Sequence, residues 1–248
     1  MDLGLAGQVF VVSGGSRGLG LAGAQALVDE GAHVVLSARD PQAVRAAADR
    51  LGAVGVVADQ ADPAAAGHLV GAALEAYGRL DGALVSVGGP PTGSALGLSD
   101  EQWRGAFDSV FLGTVRLCRA VVEALPKRGG AIALVLSTSA KSPIPGLAAS
   151  NGLRPGLAML AKTMADELGS RGVRVNGVLP GRISTDRVRS LDAGRSAADL
   201  LERSRDIPLG RDGDPAEFGR VAAFLLSPAA SYVTGAMVPV DGGSLRAL

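Results

Sequence analysis

The chain predicts an α/β domain built on a seven-stranded parallel sheet, doubly wound, with helices on both faces. Three observations carry this. Apolar runs of β type alternate with helical patterns from one end to the other. The runs are continuously apolar rather than apolar at every second residue, the pattern of strands covered on both faces. No linker or low-complexity stretch divides the 248 residues, so 1–248 is expected to be one domain.

The elements follow in order. The run Gln8–Ser13 leads through a glycine-rich turn into an amphipathic stretch at about 19–30, closed by Gly31. His33–Ala38 is the second strand. Asp40-Pro41 opens the helix 41–51: the carboxylate accepts from free N–H groups, and proline's fixed φ suits the first helical position. Gly52 stands where a left-handed cap ends it. Ala53–Ala58, a helix at 62–78, Gly82–Val87 and a single long helix at 99–125 come next. Ala131–Leu136 precedes a helix at 148–169, which should begin or bend near Ser150 because Pro155 removes an interior hydrogen bond. Val173–Leu179, a helix at 214–227 started by Asp214-Pro215, and Met237–Val240 complete the series. The stretch 184–210 shows no regular pattern. Its arginines (Arg187, Arg189, Arg195, Arg203, Arg205) are nearly balanced by acids, which reads as a solvated face. It follows the sixth strand and is expected to be a mobile segment covering the substrate.

Bulk properties exclude several classes. Hydrophobic residues make up 47% of the chain, yet no apolar run reaches the length of a membrane span. The start, Met1-Asp2-Leu3-Gly4, lacks the pattern of a signal peptide. A lone cysteine, Cys118, fits a reducing cytoplasm. A formal net charge of zero offers no footprint for nucleic acid or an anionic membrane. The two histidines, His33 and His68, lie at a strand start and on an outer helix, and no metal is expected.

Chemistry enters at Ser13-Gly14-Gly15-Ser16-Arg17-Gly18-Leu19-Gly20. A strand, a glycine turn and a helix start, in that order, make an anion site from unpaired N–H groups and the positive end of the helix dipole. Gly14 and Gly18 permit a tight turn and close approach of a pyrophosphate; Gly20 permits close packing of helix on strand. Ser16, Arg17 and Leu19 complete the expected contacts. In such Rossmann-type folds an acid at the end of the second strand takes the ribose hydroxyls, whereas arginine suits a 2′-phosphate. That strand ends Leu36-Ser37-Ala38-Arg39, with no acid at Ala38, and Asp40 is accounted for as a helix cap. Arg39 and Arg17 therefore point to NADP(H), against the plain alternative of two solvated surface charges.

With these pieces in place the chain resembles the short-chain dehydrogenase/reductase family over nearly its whole length, in particular its 3-oxoacyl-acyl-carrier-protein-reductase-like members. The turn Ser13–Gly20 resembles the family's T-G-x3-G-x-G signature. Asp59 resembles the aspartate that holds the adenine, and Gly88 falls in the counterpart of Asn-Asn-Ala-Gly, here Val85-Ser86-Val87-Gly88. Asn176-Gly177-Val178-Leu179-Pro180-Gly181 resembles the N-x-x-x-P-G turn against the nicotinamide, and Ile183 and Thr185 continue toward the carboxamide. Tyr232-Val233-Thr234-Gly235 and Val240-Asp241-Gly242-Gly243 resemble the closing strand and turn.

The catalytic positions depart from the family pattern. Tyr-x-x-x-Lys becomes Ser150-x-x-x-Arg154, and the asparagine beyond Trp103 becomes Val110. Only the serine thirteen residues before the tyrosine position is kept, as Ser137. A serine hydroxyl does not ionise near neutral pH and cannot act as an anionic base. Arg154 keeps its charge and can hydrogen-bond the nicotinamide ribose, but it does not relay protons. Tyr77 and Tyr232 are placed away from the crevice. Lys141, four residues after Ser137, is a candidate donor if partly desolvated near Arg154 and helped by Ser137 or Ser139; the alternative is a solvent-facing loop lysine.

The resemblance implies an NADP(H)-dependent oxidoreductase acting on a small carbonyl or alcohol substrate, with Ser137, Lys141, Ser150 and Arg154 as the catalytic candidates. A dinucleotide-binding protein without redox turnover (a sensor or assembly subunit) is the second reading, and a non-redox enzyme reusing the pocket is the third. Homodimers or homotetramers paired through 99–125 and 148–169 are implied as well. Segments 88–98, 142–149 and 184–210 should shape the substrate pocket.

Overall fold

The computed structural model describes residues 2–194, 196, 199 and 205–247. Strands β1 (Val9–Ser13), β2 (His33–Ala38), β3 (Val54–Val57), β4 (Gly82–Val85), β5 (Ala131–Val135), β6 (Arg174–Pro180) and β7 (Met237–Val240) form one sheet in the order β3-β2-β1-β4-β5-β6-β7. Every adjacent pair is parallel. Because side chains alternate across a strand, each central strand feeds two cores. Val11, Val35, Ile132, Leu134 and Val175 face one side and Phe10, Val12, Leu36, Leu84 and Val178 the other. The sheet is of Rossmann type.

Helices α1 (Gly18–Asp29) and α2 (Pro41–Leu51) cover the second face, and α3 (Ala65–Tyr77) covers the first. Asp40 caps α2 by accepting from Gln42 N and Ala43 N, and Gly52 ends it at φ +61°. Helix α3 starts three residues later than the pattern suggests. The Asp59 and Asp62 carboxylates accept from Ala61 N and Ala64 N, holding that stretch as successive turns instead.

The helix anticipated at 99–125 is three pieces. Helix α4 (Asp100–Ala106) is opened by a Ser99–Gln102 capping box, and α5 runs Gly113–Ala124; between them Phe107–Leu112 is π-helical. A Cβ on Gly113 would lie 2.6 Å from the Gln60 carbonyl, so the helix is pressed against the loop after β3. The Thr114 hydroxyl donates to the Val110 carbonyl inside the wide turn (2.7 Å). Hydrophobic periodicity runs through such an insertion almost unbroken.

Helix α6 (Ala148–Leu168) begins two residues before Ser150 and keeps Pro155 inside it. The stretch read as irregular after β6 contains a short helix, α7 (Asp186–Asp192), started by Thr185. Polar throughout its exposed face, α7 offers no apolar stripe to detect. Arg195 and Arg203 lie outside the described residues. Helix α8 (Pro215–Leu226) carries the expected aspartate–proline start, reinforced by Glu217, and its last carbonyls accept from Arg174.

Helices α1 and α8 pack on one another through Gly219, where a Cβ would sit 2.4 Å from the Ala22 carbonyl. Gly219→Ala is therefore expected to lower stability by about 2 kcal/mol through overpacking. Gly67→Ala, in α3 with nothing within 4 Å of the added methyl, should raise it by roughly 0.5–1 kcal/mol. Thermal or urea unfolding of the two variants checks both signs.

Candidate functional site

In a wholly parallel sheet all carboxyl ends lie along one edge. The connections from β1 and β4 leave toward opposite sides of the sheet, which makes the gap between them the topological switch point. The glycine turn occupies this gap. Gly14 has φ +59°, and a Cβ there would lie 2.7 Å from the Ser86 carbonyl. A Cβ on Gly20 would come within 2.2 Å of the Gly14 carbonyl. The buried Ser13 hydroxyl donates to Ser86 O (2.8 Å) and accepts from Ser86 N (3.0 Å), joining the ends of β1 and β4. Helix α1 starts without a side-chain cap, so its first-turn N–H groups face the gap.

The remaining residues of the expected dinucleotide contact set lie at or just beyond the carboxyl ends of β2, β3, β4 and β6. Arg17 and Arg39 are exposed, and the side chains of both lack a hydrogen bond or ion pair among the described residues. Asp59 is exposed and Gly88 lies open beyond β4. Pro180 ends β6; Gly181 donates to Val240 O at 3.0 Å and is too close to Asp241 for a side chain. Ile183 is buried and bridges to Gly213, while the Thr185 methyl lies 3.8 Å from a Cβ position on Gly18. A cavity of about 690 Å³ opens beside Gly18, between α1, Ser184–Asp186 and α8, and does not reach the serine cluster.

The serine cluster lies at the end of β5. Ser137 opens a 3₁₀ turn, Thr138–Ala140, and its hydroxyl accepts from Ser139 N at 3.0 Å. The hydroxyls of Ser139 and Ser150 are 2.9 Å apart and buried, at 3% and 7% exposure. One helical turn beyond Ser150, on the same face of α6, Arg154 is 5% exposed. Its Nη1 donates to Val135 O at 2.6 Å, and its buried Nε has no partner among the described residues. With no carboxylate against it, burial pulls the guanidinium down to about 10, so the charge persists at neutral pH.

Lys141 takes the solvent-facing alternative. It is exposed at the end of the 3₁₀ turn and its ammonium forms no bond among the described residues, so the desolvation that a donor role requires is missing. Val110 is buried in the π-helical turn, where its apolar side chain joins the core.

Two features escaped the sequence reading. Asn151 accepts from Ile144 N (3.0 Å) and donates to Ile144 O (2.9 Å), fastening the loop after β5 to α6. Arg187 of α7 donates to Pro90 O at 3.0 Å, across from the loop after β4, and packs on Gly89. A main-chain bridge from Gly93 to Leu147 closes the chain of contacts, so the segments after β4, β5 and β6 are tied together. Asparagine beside a helix start was the one available signal, and it does not name its partner.

Over residues 14–244 the chain matches the family described as enoyl-(acyl carrier protein) reductase. It is 32% identical over 242 residues to the 3-oxoacyl-(acyl-carrier-protein) reductase of Vibrio cholerae, covering 96% of this chain and 98% of that protein. Its fold superposes on L-sorbose reductase from Gluconobacter frateurii, solved with NADPH and L-sorbose, with a TM-score of 0.90, 31% identity and 100% coverage of both chains. It is also similar to an NADPH-bound short chain oxidoreductase from Pseudomonas aeruginosa described as containing an atypical catalytic center. There the TM-score is 0.89 and the identity 33%, over 97% of this chain and 98% of that one. Matched along nearly its whole length in both sequence and fold, the chain belongs to the short-chain dehydrogenase/reductase family.

Proposed function

We propose that this protein is an NADP(H)-dependent oxidoreductase that interconverts a small carbonyl compound and its alcohol without the family's tyrosine. The observation that carries the reading is Arg154: a buried cation with no acid beside it and an idle Nε donor, one turn from a hydroxyl pair. A buried charge of this kind is costly unless a ligand supplies acceptors, and ribose hydroxyls are such acceptors.

The dinucleotide fits the residues present. Gly14 and Gly20 leave a cradle that any Cβ would fill, at the uncapped start of α1. Arg17 and Arg39 stand free to hold a 2′-phosphate, and no acid at Ala38 opposes it. Asp59, Gly88, Pro180, Gly181 and Ile183 complete the contact set. When bound, the reduced nicotinamide supplies the hydride. Ser137 orients the carbonyl oxygen, Arg154 holds the ribose and adds positive charge, and Ser150 serves as a neutral hydrogen-bonding group. The described residues 184–194 cover the site, with α7 latched to Pro90 through Arg187.

A second reading, a dinucleotide-binding protein without redox turnover, is favoured by the loss of the tyrosine, lysine and asparagine together. Both readings place the protein in the cytoplasm as a single-domain homodimer or homotetramer. Exposed Met159 on α6 and Phe107 beside α4 support pairing through those helices.

NADPH consumption across a panel of aldehydes and ketones separates the two readings. Turnover that falls at least tenfold in Ser137→Ala, roughly the loss of one positioned hydrogen bond, supports the enzyme. No turnover with retained NADPH binding supports the second reading. Lys141→Ala should leave the rate unchanged. Exchanging both Arg17 and Arg39 for glutamate should weaken NADPH binding by about a hundredfold, with little effect on NADH, as removal of two charge-assisted phosphate contacts implies. Fluorescence titration of the two coenzymes reads the ratio.

A further inference from the structure

The hydroxyl pair at the end of β5 has one hydrogen too many for its surroundings. Ser139 Oγ and Ser150 Oγ bond to each other at 2.9 Å, and neither meets another hydrogen-bonding group among the described residues. A hydroxyl carries one hydrogen and two lone pairs. One hydrogen closes the pair, and the other has no protein acceptor. At 3% and 7% exposure these are places where an idle donor is expensive. Both ends are rigidly mounted. Ser139 N–H is held by Ser137 Oγ within the 3₁₀ turn, and Ser150 sits in α6. The second idle donor, Arg154 Nε, projects from the same helix face one turn on. With Arg154 Nε given to the ribose, the one unused hydroxyl hydrogen and the positive charge one turn on make a receptor for an oxygen that carries, or develops, negative charge.

We propose that Ser139 is a positioning residue. It donates to Ser150 Oγ, so that the hydrogen of Ser150 points outward to the substrate's carbonyl oxygen. The assignment rests on the carbonyl-reductase reading above and adds Ser150, aimed by Ser139, to the donor Ser137 named there. Ser137 Oγ accepts from Ser139 N–H and keeps its own hydrogen, so it can donate to the same carbonyl oxygen beside Ser150. Either hydroxyl can be the donor within the pair, and the assignment takes Ser139 as the inner donor and Ser150 as the outer one. Each hydrogen bond in such a chain polarises the next, so Ser150 strengthens as a donor as charge grows on the bound oxygen. Neither serine has to ionise.

The test uses the full chain saturated with NADP⁺ and isobutyramide, an amide that offers a carbonyl oxygen but is not reduced. Its affinity is measured by calorimetry for the wild type, Ser139→Ala, Ser139→Thr, Ser150→Ala and the double alanine variant. Each single alanine change should weaken binding by about five- to tenfold. The double variant should bind no worse than either single one, because the two hydroxyls act as a unit. Ser139→Thr should recover binding, and NADP⁺ affinity should stay constant throughout. Unchanged binding in Ser139→Ala, losses that add in the double variant, or no isobutyramide binding by the wild type would each overturn the assignment. Failure of the wild type to bind NADP⁺ counts against the functional reading alone. The same series on the coenzyme-free protein then decides the role of Ser139.

Discussion

Between Gly20 and the carbonyl of Gly14 there is no space for a methyl group, and none between Gly14 and the carbonyl of Ser86. The start of α1 is thereby drawn down onto the turn, and the turn onto the end of β4, to distances that only glycine permits. The Ser13 hydroxyl completes the arrangement by bonding both main-chain groups of Ser86. Because β1 and β4 are the central strands of the sheet, this joint sets where the remaining carboxyl ends lie relative to α1. The helix dipole, the loop after β4 and the serine cluster after β5 all take their places from it.

Arg154, where the resemblance puts a lysine, brings a charge that does not titrate near neutral pH. A lysine there could share a proton with its neighbours. The guanidinium, buried against Val135 O, holds its charge but presents donors only. Its burial without an acid lowers its proton affinity to about 10, still well above neutral. The position therefore favours hydrogen bonding and charge over proton transfer. The serine hydroxyl beside it likewise offers a hydrogen bond rather than an acid that ionises near neutral pH.

The walls of the site are less independent than loops usually are. The segment after β4 reaches α7 through Pro90 and Arg187, and reaches the loop before α6 through Gly93 and Leu147. That loop is fixed in turn by Asn151. Arg182 pairs with Asp192 and Asp212, binding both flanks of the segment after β6 to the strand's end. Multiple hydrogen bonds between the two carboxylates and one guanidinium raise the proton affinity of Arg182 and keep the pairing charged. A change in one wall is thus passed to the other two.

Local pattern was sufficient for the sheet, because each strand is a short apolar run, buried in the central strands and half-buried in the edge strands β3 and β7. All seven strands were legible to within two residues, and so were the aspartate caps of α2 and α8, where one side chain answers its own helix start. The break in the helix at Phe107–Leu112, the polar helix α7 and the exposure of Lys141 were not legible. The first two depend on what another part of the chain presses against them, such as Gln60 on Gly113 or Asp212 on Arg182, and the third on nothing in the described residues covering Lys141. By itself the sequence determined the element types, the glycine turn and the loss of the tyrosine. Which hydroxyl meets which, and that Arg154 is buried without an acid, was decided only when β5 and α6 came together, because a contact between residues eleven positions apart in different elements leaves no periodic trace in either.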